Sequence, residues 1–132
     1  MVGSVMMFAL CMTRSHRNRH AGGTVIVDRV PFAIDGCKRV PASGEWSIGA
    51  DVRASGDNVL RIVREAGTVR LWAYVKGGGM VPINAADCSE WNVDFSTDPP
   101  DRTTPVGGHA SVTCVSGGHR VDSETFFDHC AP

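Results

Sequence analysis

The sequence predicts an all-β fold, an antiparallel β-sandwich or a meander closing toward a barrel, with about eight short strands stapled by two disulfides. Three observations predict it. Stretches of alternating apolar and polar residues recur at roughly ten-residue intervals, divided by glycine, proline and aspartate turn signals. No long stretch beyond the amino-terminal run has helical periodicity. Four of the five cysteines, Cys37, Cys88, Cys114 and Cys130, are scattered with no closely spaced pair, which disfavours a zinc knuckle or a redox C-x-x-C and favours disulfides in an oxidising compartment.

The chain begins with an apolar run, residues 2–12, that is too short to span a bilayer and has the length of a signal-peptide core. A basic cluster, Arg14, His16, Arg17, Arg19 and His20, follows it where export signals do not usually place one. Leu10 before Cys11 departs from a lipobox, which wants a small residue there. Residues 1–23 read as a signal-like or disordered arm, with Ala21-Gly22-Gly23 as a linker, and residues 24–132 as a single β-domain.

Thr24-Val25-Ile26-Val27-Asp28 is rich in β-branched residues and starts a first hairpin through Pro31 and Phe32 to the turn Asp35-Gly36. Pro31 has no N–H for a ladder, so it belongs at a strand start or an edge. Residues 38–44 read as loop. In 45–53, Trp46, Ile48, Ala50 and Val52 share one face and Ser47, Gly49, Asp51 and Arg53 the other. The turn at 55–58 leads to a strand over 59–64, and Glu65-Ala66-Gly67 turns the chain into 68–76. There Val69, Leu71, Ala73 and Val75 alternate with Arg70, Trp72, Tyr74 and Lys76. Gly77-Gly78-Gly79 begins a loop reaching Cys88, and Trp91, Val93 and Phe95 mark the next strand. Asp98-Pro99-Pro100-Asp101 interrupts any ladder. Residues 106–130 close the fold as two strands joined at Gly117-Gly118, with Ala110, Val112 and Cys114 on one face of the first and Val121, Ser123, Thr125 and Phe127 on one face of the second.

Cys88 and Cys114 lie symmetrically about position 101, so an antiparallel hairpin brings them opposite each other and leaves Cys37 to pair with Cys130. That register would set Trp91 beside Ser111 and put the apolar sets of the two strands on opposite faces, unless a bulge near Ser89-Glu90 or a bend in the loop restores them. Cys37–Cys88 with Cys114–Cys130 is the alternative connectivity.

The composition constrains function mostly by exclusion. Hydrophobic residues make up 42% and charged residues 20%, enough for a packed core, and 13 basic against 14 acidic side chains give no general attraction for nucleic acid or anionic lipid. No nucleophile elbow, zincin motif, phosphate loop or dinucleotide fingerprint is present, and no helix follows the three glycines at 77–79 to build a phosphate nest. No catalytic residue, cofactor or metal ligand is therefore expected. His109, His119 and His129 recur every ten residues but do not converge around a turn at Gly117-Gly118. Asp122 and Glu124, two apart on one strand, read as a solvated face. The stretch that points to binding is Arg70, Trp72, Tyr74 and Lys76, aromatics between cations, which can pack under a second layer, form a protein interface, or stack sugars or bases.

Two layouts carry a resemblance. Thr24-Val25-Ile26-Val27-Asp28, Phe32, Cys37 and Phe126-Phe127 with Cys130 resemble the mycobacterial lipoprotein-antigen family. The closing Gly117-Gly118-His119-x-Val121 and Phe127-x-x-Cys130 is similar to the carboxyl-terminal signature of uncharacterised secreted or lipoprotein domains of myxobacterial type. The chain departs from these at Cys11 and in having Cys88 and Cys114. The resemblance implies an exported or envelope β-sandwich without catalytic residues, and it favours Cys37–Cys130. The expectation is a secreted or cell-envelope, non-enzymatic structural, adhesive or protein-binding module, with an unknown protein or envelope component as partner, no nucleic acid, and no membrane span in the mature domain. A small hydrolase or carbohydrate-binding domain is the alternative.

Overall fold

The computed structural model describes residues 20–41, 47–77, 79–96 and 105–132. The leader reading of residues 2–12 with Cys11, the position of Trp46 and the proline loop at 98–101 lie outside them.

Among the described residues the chain forms ten strands and one short 3-10 turn, Ala85–Asp87. The strands are β1 Ala21–Val27, β2 Val30–Ala33, β3 Gly36–Val40, β4 Ile48–Ala54, β5 Asp57–Glu65, β6 Thr68–Val75, β7 Gly79–Ile83, β8 Cys88–Phe95, β9 Gly108–Ser116 and β10 His119–Phe127. They build two antiparallel five-stranded sheets, the first in the order β2-β1-β10-β9-β8 and the second in the order β3-β4-β5-β6-β7. The sandwich is thus the form the chain takes.

Alternation sets the core. Leu71 and Ala73 of β6, Val121 and Phe127 of β10, and Ala110, Val112 and Cys114 of β9 are all buried, as the period-two pattern requires. Buried polar groups on the inner face of the first sheet have partners: Ser123 Oγ donates to the Ala110 carbonyl at 2.8 Å and Thr125 Oγ1 to the Gly22 carbonyl at 2.6 Å. Two-residue turns join four of the hairpins, and both turn residues have positive φ at Asp28-Arg29, Ser55-Gly56, Ala66-Gly67 and Gly117-Gly118. This conformation matches the right-handed twist of the strands it connects.

Both disulfides form in the favoured connectivity, Cys37–Cys130 and Cys88–Cys114. The parity conflict between β8 and β9 is resolved by a register shift between Cys88 and Glu90: Cys88 faces Cys114, whereas Trp91 faces Val112 and Val93 faces Ala110. Ser89 is the extra residue, so the cysteines stay opposite while the apolar sets return to one face.

Three expectations are corrected. There are ten strands rather than about eight, because residues 38–40 and 79–83 form β3 and β7 instead of loop. Both are outermost strands of the second sheet, where weak alternation and the proline at Pro82 are tolerated. Ala21-Gly22-Gly23 is not a linker but the start of β1, paired with Thr125 to Phe127. A side chain at Gly23 (φ +100) would drive its Cβ into the Glu124 carbonyl oxygen, so this close pairing requires glycine. The strands also do not succeed one another as hairpins throughout, since β1 pairs with β10 and joins the two ends of the described chain.

Candidate functional site

β6 separates the stripe cleanly. Leu71 and Ala73 enter the core, Val69 and Val75 pack against it, and Arg70, Trp72 and Tyr74 lie on the opposite, outer face, with Lys76 just past the strand end. Trp72 and Tyr74 are half-buried, and among the described residues there are two sheets and no third layer above them. The register builds one cross-strand row on this face: Lys38, Asp51, Arg61, Trp72, Pro82. Trp72 therefore lies between Arg61 and Pro82 in the row.

An ion pair underlies the row. Asp51 is 3% exposed and accepts two hydrogen bonds from Arg61, Nε to Oδ1 and Nη2 to Oδ2, each 2.8 Å. The Tyr74 hydroxyl donates to Asp51 Oδ1 at 3.1 Å. Burial, then the negative charge of Asp51, pushes the Tyr74 phenol above its ordinary range, and the Asp51 hydrogen bonds raise the Arg61 guanidinium. Tyr74 is consequently a neutral donor holding Asp51, with only its ring available to a ligand.

The two outer faces differ in sign. Among the described residues, Lys38, Arg53, Arg61 and Arg70 oppose Asp51 and Glu65 on the second sheet. On the first, Glu90, Asp94, Asp122 and Glu124 oppose Arg120. The near-zero net charge conceals this polarity.

Past Tyr74 the stripe runs into a cleft of about 540 Å³ between the β1–β2 hairpin of one sheet and β5–β6 of the other. Val27, Val30, Phe32 and Val75 supply apolar walls, and Asp28, Asn58, Tyr74, Lys76 and His119 the polar groups. His119 Nδ1 donates to Asp28 Oδ2 at 2.6 Å, while Asp28 Oδ1 accepts the Arg120 N–H at 2.9 Å. The His119 hydrogen bond, followed by that of the Arg120 N–H, holds the Asp28 carboxyl below its usual range.

The histidines do not converge. His109 Nε2 lies 2.9 Å from Asn92 Oδ1 on the outer face of the first sheet, His129 pairs with its neighbour Asp128, and His119 is at the cleft. Among the described residues no group of three or more His, Cys, Asp or Glu side chains could hold a metal ion. Asp122 takes Arg120 Nε at 3.0 Å and Glu124 accepts from Ser111 Oγ at 3.1 Å, both on the outer face and away from the cleft.

Sequence reasoning located the stripe but missed the cleft, and with it Asp28, Asn58 and His119 as neighbours of Tyr74 and Lys76. Asp28 and His119 are 91 residues apart and meet only because β1 pairs with β10. The available signal was an aspartate ending one strand and a histidine starting another, which is too common to pair. No protein-family model, no curated protein and no solved structure matches the chain, and its function is read from its own residues.

Proposed function

We propose that the chain is an exported, non-catalytic binding module of the cell envelope or extracellular space, which meets an anionic envelope component or protein through the outer face of its second sheet. One observation carries this reading: Trp72, half-buried, sits in a cross-strand row beside Arg61 with Arg70 two residues away on the same face. Arg61 is paired with Asp51, so the ring and the exposed Arg70 present contact area and positive charge together, the pairing that is enriched in binding surfaces. Export is supported by two disulfides, which persist in oxidising compartments, and no helix among the described residues is long and apolar enough to cross a membrane.

The test is saturable binding of the full chain to isolated envelopes of the producing organism. Trp72→Ser and Arg70→Ser are expected to weaken binding tenfold or more while leaving the melting temperature within a few degrees. Binding that is absent, or unchanged in both variants, overturns the proposal. The hydrolase reading is favoured by His119 Nδ1 held 2.6 Å from Asp28 at a cleft, the arrangement of an oriented base. Among the described residues no Ser, Thr or Cys lines that cleft, so a hydrolase built on them would activate water directly. Ester or glycoside turnover lost in His119→Ala would establish it.

A further inference from the structure

We infer that the cleft at the β1–β2 turn binds a small carboxylate with a branched aliphatic or aromatic body. This site adjoins the outer-face surface proposed above and shares neither Trp72 nor Arg70 with it.

Register leaves apolar surface open at the cleft. Val27 faces Val30 and Val25 faces Phe32, so Val30 and Phe32 belong to the inner face of the first sheet, where Val25, Val27, Val93, Ala110, Val112, Val121 and Phe127 are buried. Yet Val30 is 51% exposed and Phe32 half-buried. The second sheet does not close over them, and the gap is the cleft. An inner-face surface left open beside Val27 and Val75 favours an apolar occupant, and about 540 Å³ is ample for one.

Several polar groups of the cleft are already engaged. Asp28 is satisfied by His119 and the Arg120 N–H, and the Tyr74 hydroxyl is committed to Asp51. Asn58 lines the cleft beside the Tyr74 hydroxyl. Lys76 has no ion-pair partner among the described residues. The groups left for a ligand are the Lys76 ammonium, the Asn58 amide and the far ring nitrogen of His119, Nε2, and among these Lys76 carries the full positive charge. A single carboxylate matches them. A dianion would leave charge uncompensated against valine walls, and an amine would put a second cation beside Lys76.

The probes are 4-methylpentanoate and 3-phenylpropanoate, titrated into the full, disulfide-intact chain and followed by amide chemical shifts. Controls are the alcohol and amine with the same carbon bodies. Saturable shifts centred on Val27, Phe32, Val75 and Lys76 are expected from at least one carboxylate. Lys76→Met is expected to weaken that binding tenfold or more, and Val30→Asp, at an exposed edge position, to abolish it. Arg70→Ser lies outside the cleft and is expected to leave carboxylate binding unchanged, so loss of envelope binding in that variant and loss of carboxylate binding in Lys76→Met report on different sites. The inference is overturned if neither carboxylate binds at about 10 mM, well above the range of specific small-ligand affinities. Equal binding by the amine, or by the Lys76→Met variant, also overturns it.

Discussion

The two sheets are assembled from the chain in opposite ways. The second is a meander in which β3 to β7 each pair with their neighbours in sequence. The first takes β1 and β2 from the start of the described chain and β8 to β10 from its end, and it closes only when β1 reaches β10. Meander pairing closes short loops, whereas the β1–β10 seam must overcome the entropy of a long one. The staples follow this difference. Cys37–Cys130 spans 93 residues and ties β3 of the meander to the tail beyond β10, where Ala131 also exchanges hydrogen bonds with Cys37 and Arg39. Cys88–Cys114 spans 26 and joins strands that a ladder already pairs.

The largest expected effect separates these staples. In the chain-entropy model a loop of 93 residues stabilises by about 4.7 kcal/mol and one of 26 by about 3.5. Replacing Cys37 and Cys130 by alanine should therefore cost more stability in urea melts than replacing Cys88 and Cys114. It should also strip amide-exchange protection from β1 and β10 before β4, β5 and β6. An equal loss in the two variants, or protection lost first in the meander, would break the contrast between a locally built sheet and a stapled one.

The same contrast explains what could be read from the sequence. The meander's inner strands were legible because alternation and two-residue glycine turns are local signals, and Ser55-Gly56 and Ala66-Gly67 sit where they were expected. Its outermost strands were not, since Lys38-Arg39 and Met80-Val81-Pro82 carry little alternation and gain strand form from one neighbour only. In the first sheet the cysteines were informative at long range, and the clash they created at Trp91 called for a bulge near Ser89-Glu90 or a bend in the loop, of which the structure has the bulge. Nothing local pointed to Ala21-Gly22-Gly23, which look like a linker and become a strand by lying against Thr125. The stripe at 70–76 was visible because it occupies one strand. The cleft was not, because its walls come from both sheets and its Asp28–His119 contact from the seam.

A middle-sized effect compares one ion pair from each sheet. Asp51 is 4% exposed at its side chain and Arg61 30%, whereas Arg120 and Asp122 on the first sheet are 63% and 30% exposed. Removing the carboxylate from the first pair leaves Arg61 half-buried and the Tyr74 hydroxyl without its acceptor. Asp51→Ala is expected to cost about 2–3 kcal/mol, below the full penalty for a buried charge because water reaches Arg61. Asp122→Ala is expected to cost under about 1 kcal/mol, as solvated pairs do. Comparable losses in the two variants would mean that the Asp51 network is not what holds the outer face of the meander.

The smallest effect is spectroscopic, and it sets the sheets against each other in sign. Tyr74 is the chain's one tyrosine, so absorbance near 295 nm reports it alone. Its phenol is raised by burial first and by Asp51 second, so the midpoint should lie above the ordinary value of about 10. A raised folded value means that this group's contribution to stability is complete below about pH 10 and is lost as pH climbs through the folded midpoint. Asp51→Asn should lower the midpoint without returning it fully, because burial remains. Asp28, at the seam of the first sheet, moves the other way: the His119 and Arg120 hydrogen bonds depress it. Its contribution is complete above about pH 4 and is lost as pH falls through the folded value. His119→Ala should raise the Asp28 midpoint, followed by carboxyl NMR, and leave the Tyr74 titration in place. A Tyr74 midpoint at the free-phenol value, or one that moves with His119→Ala, would show that the meander network and the seam do not titrate as separate units.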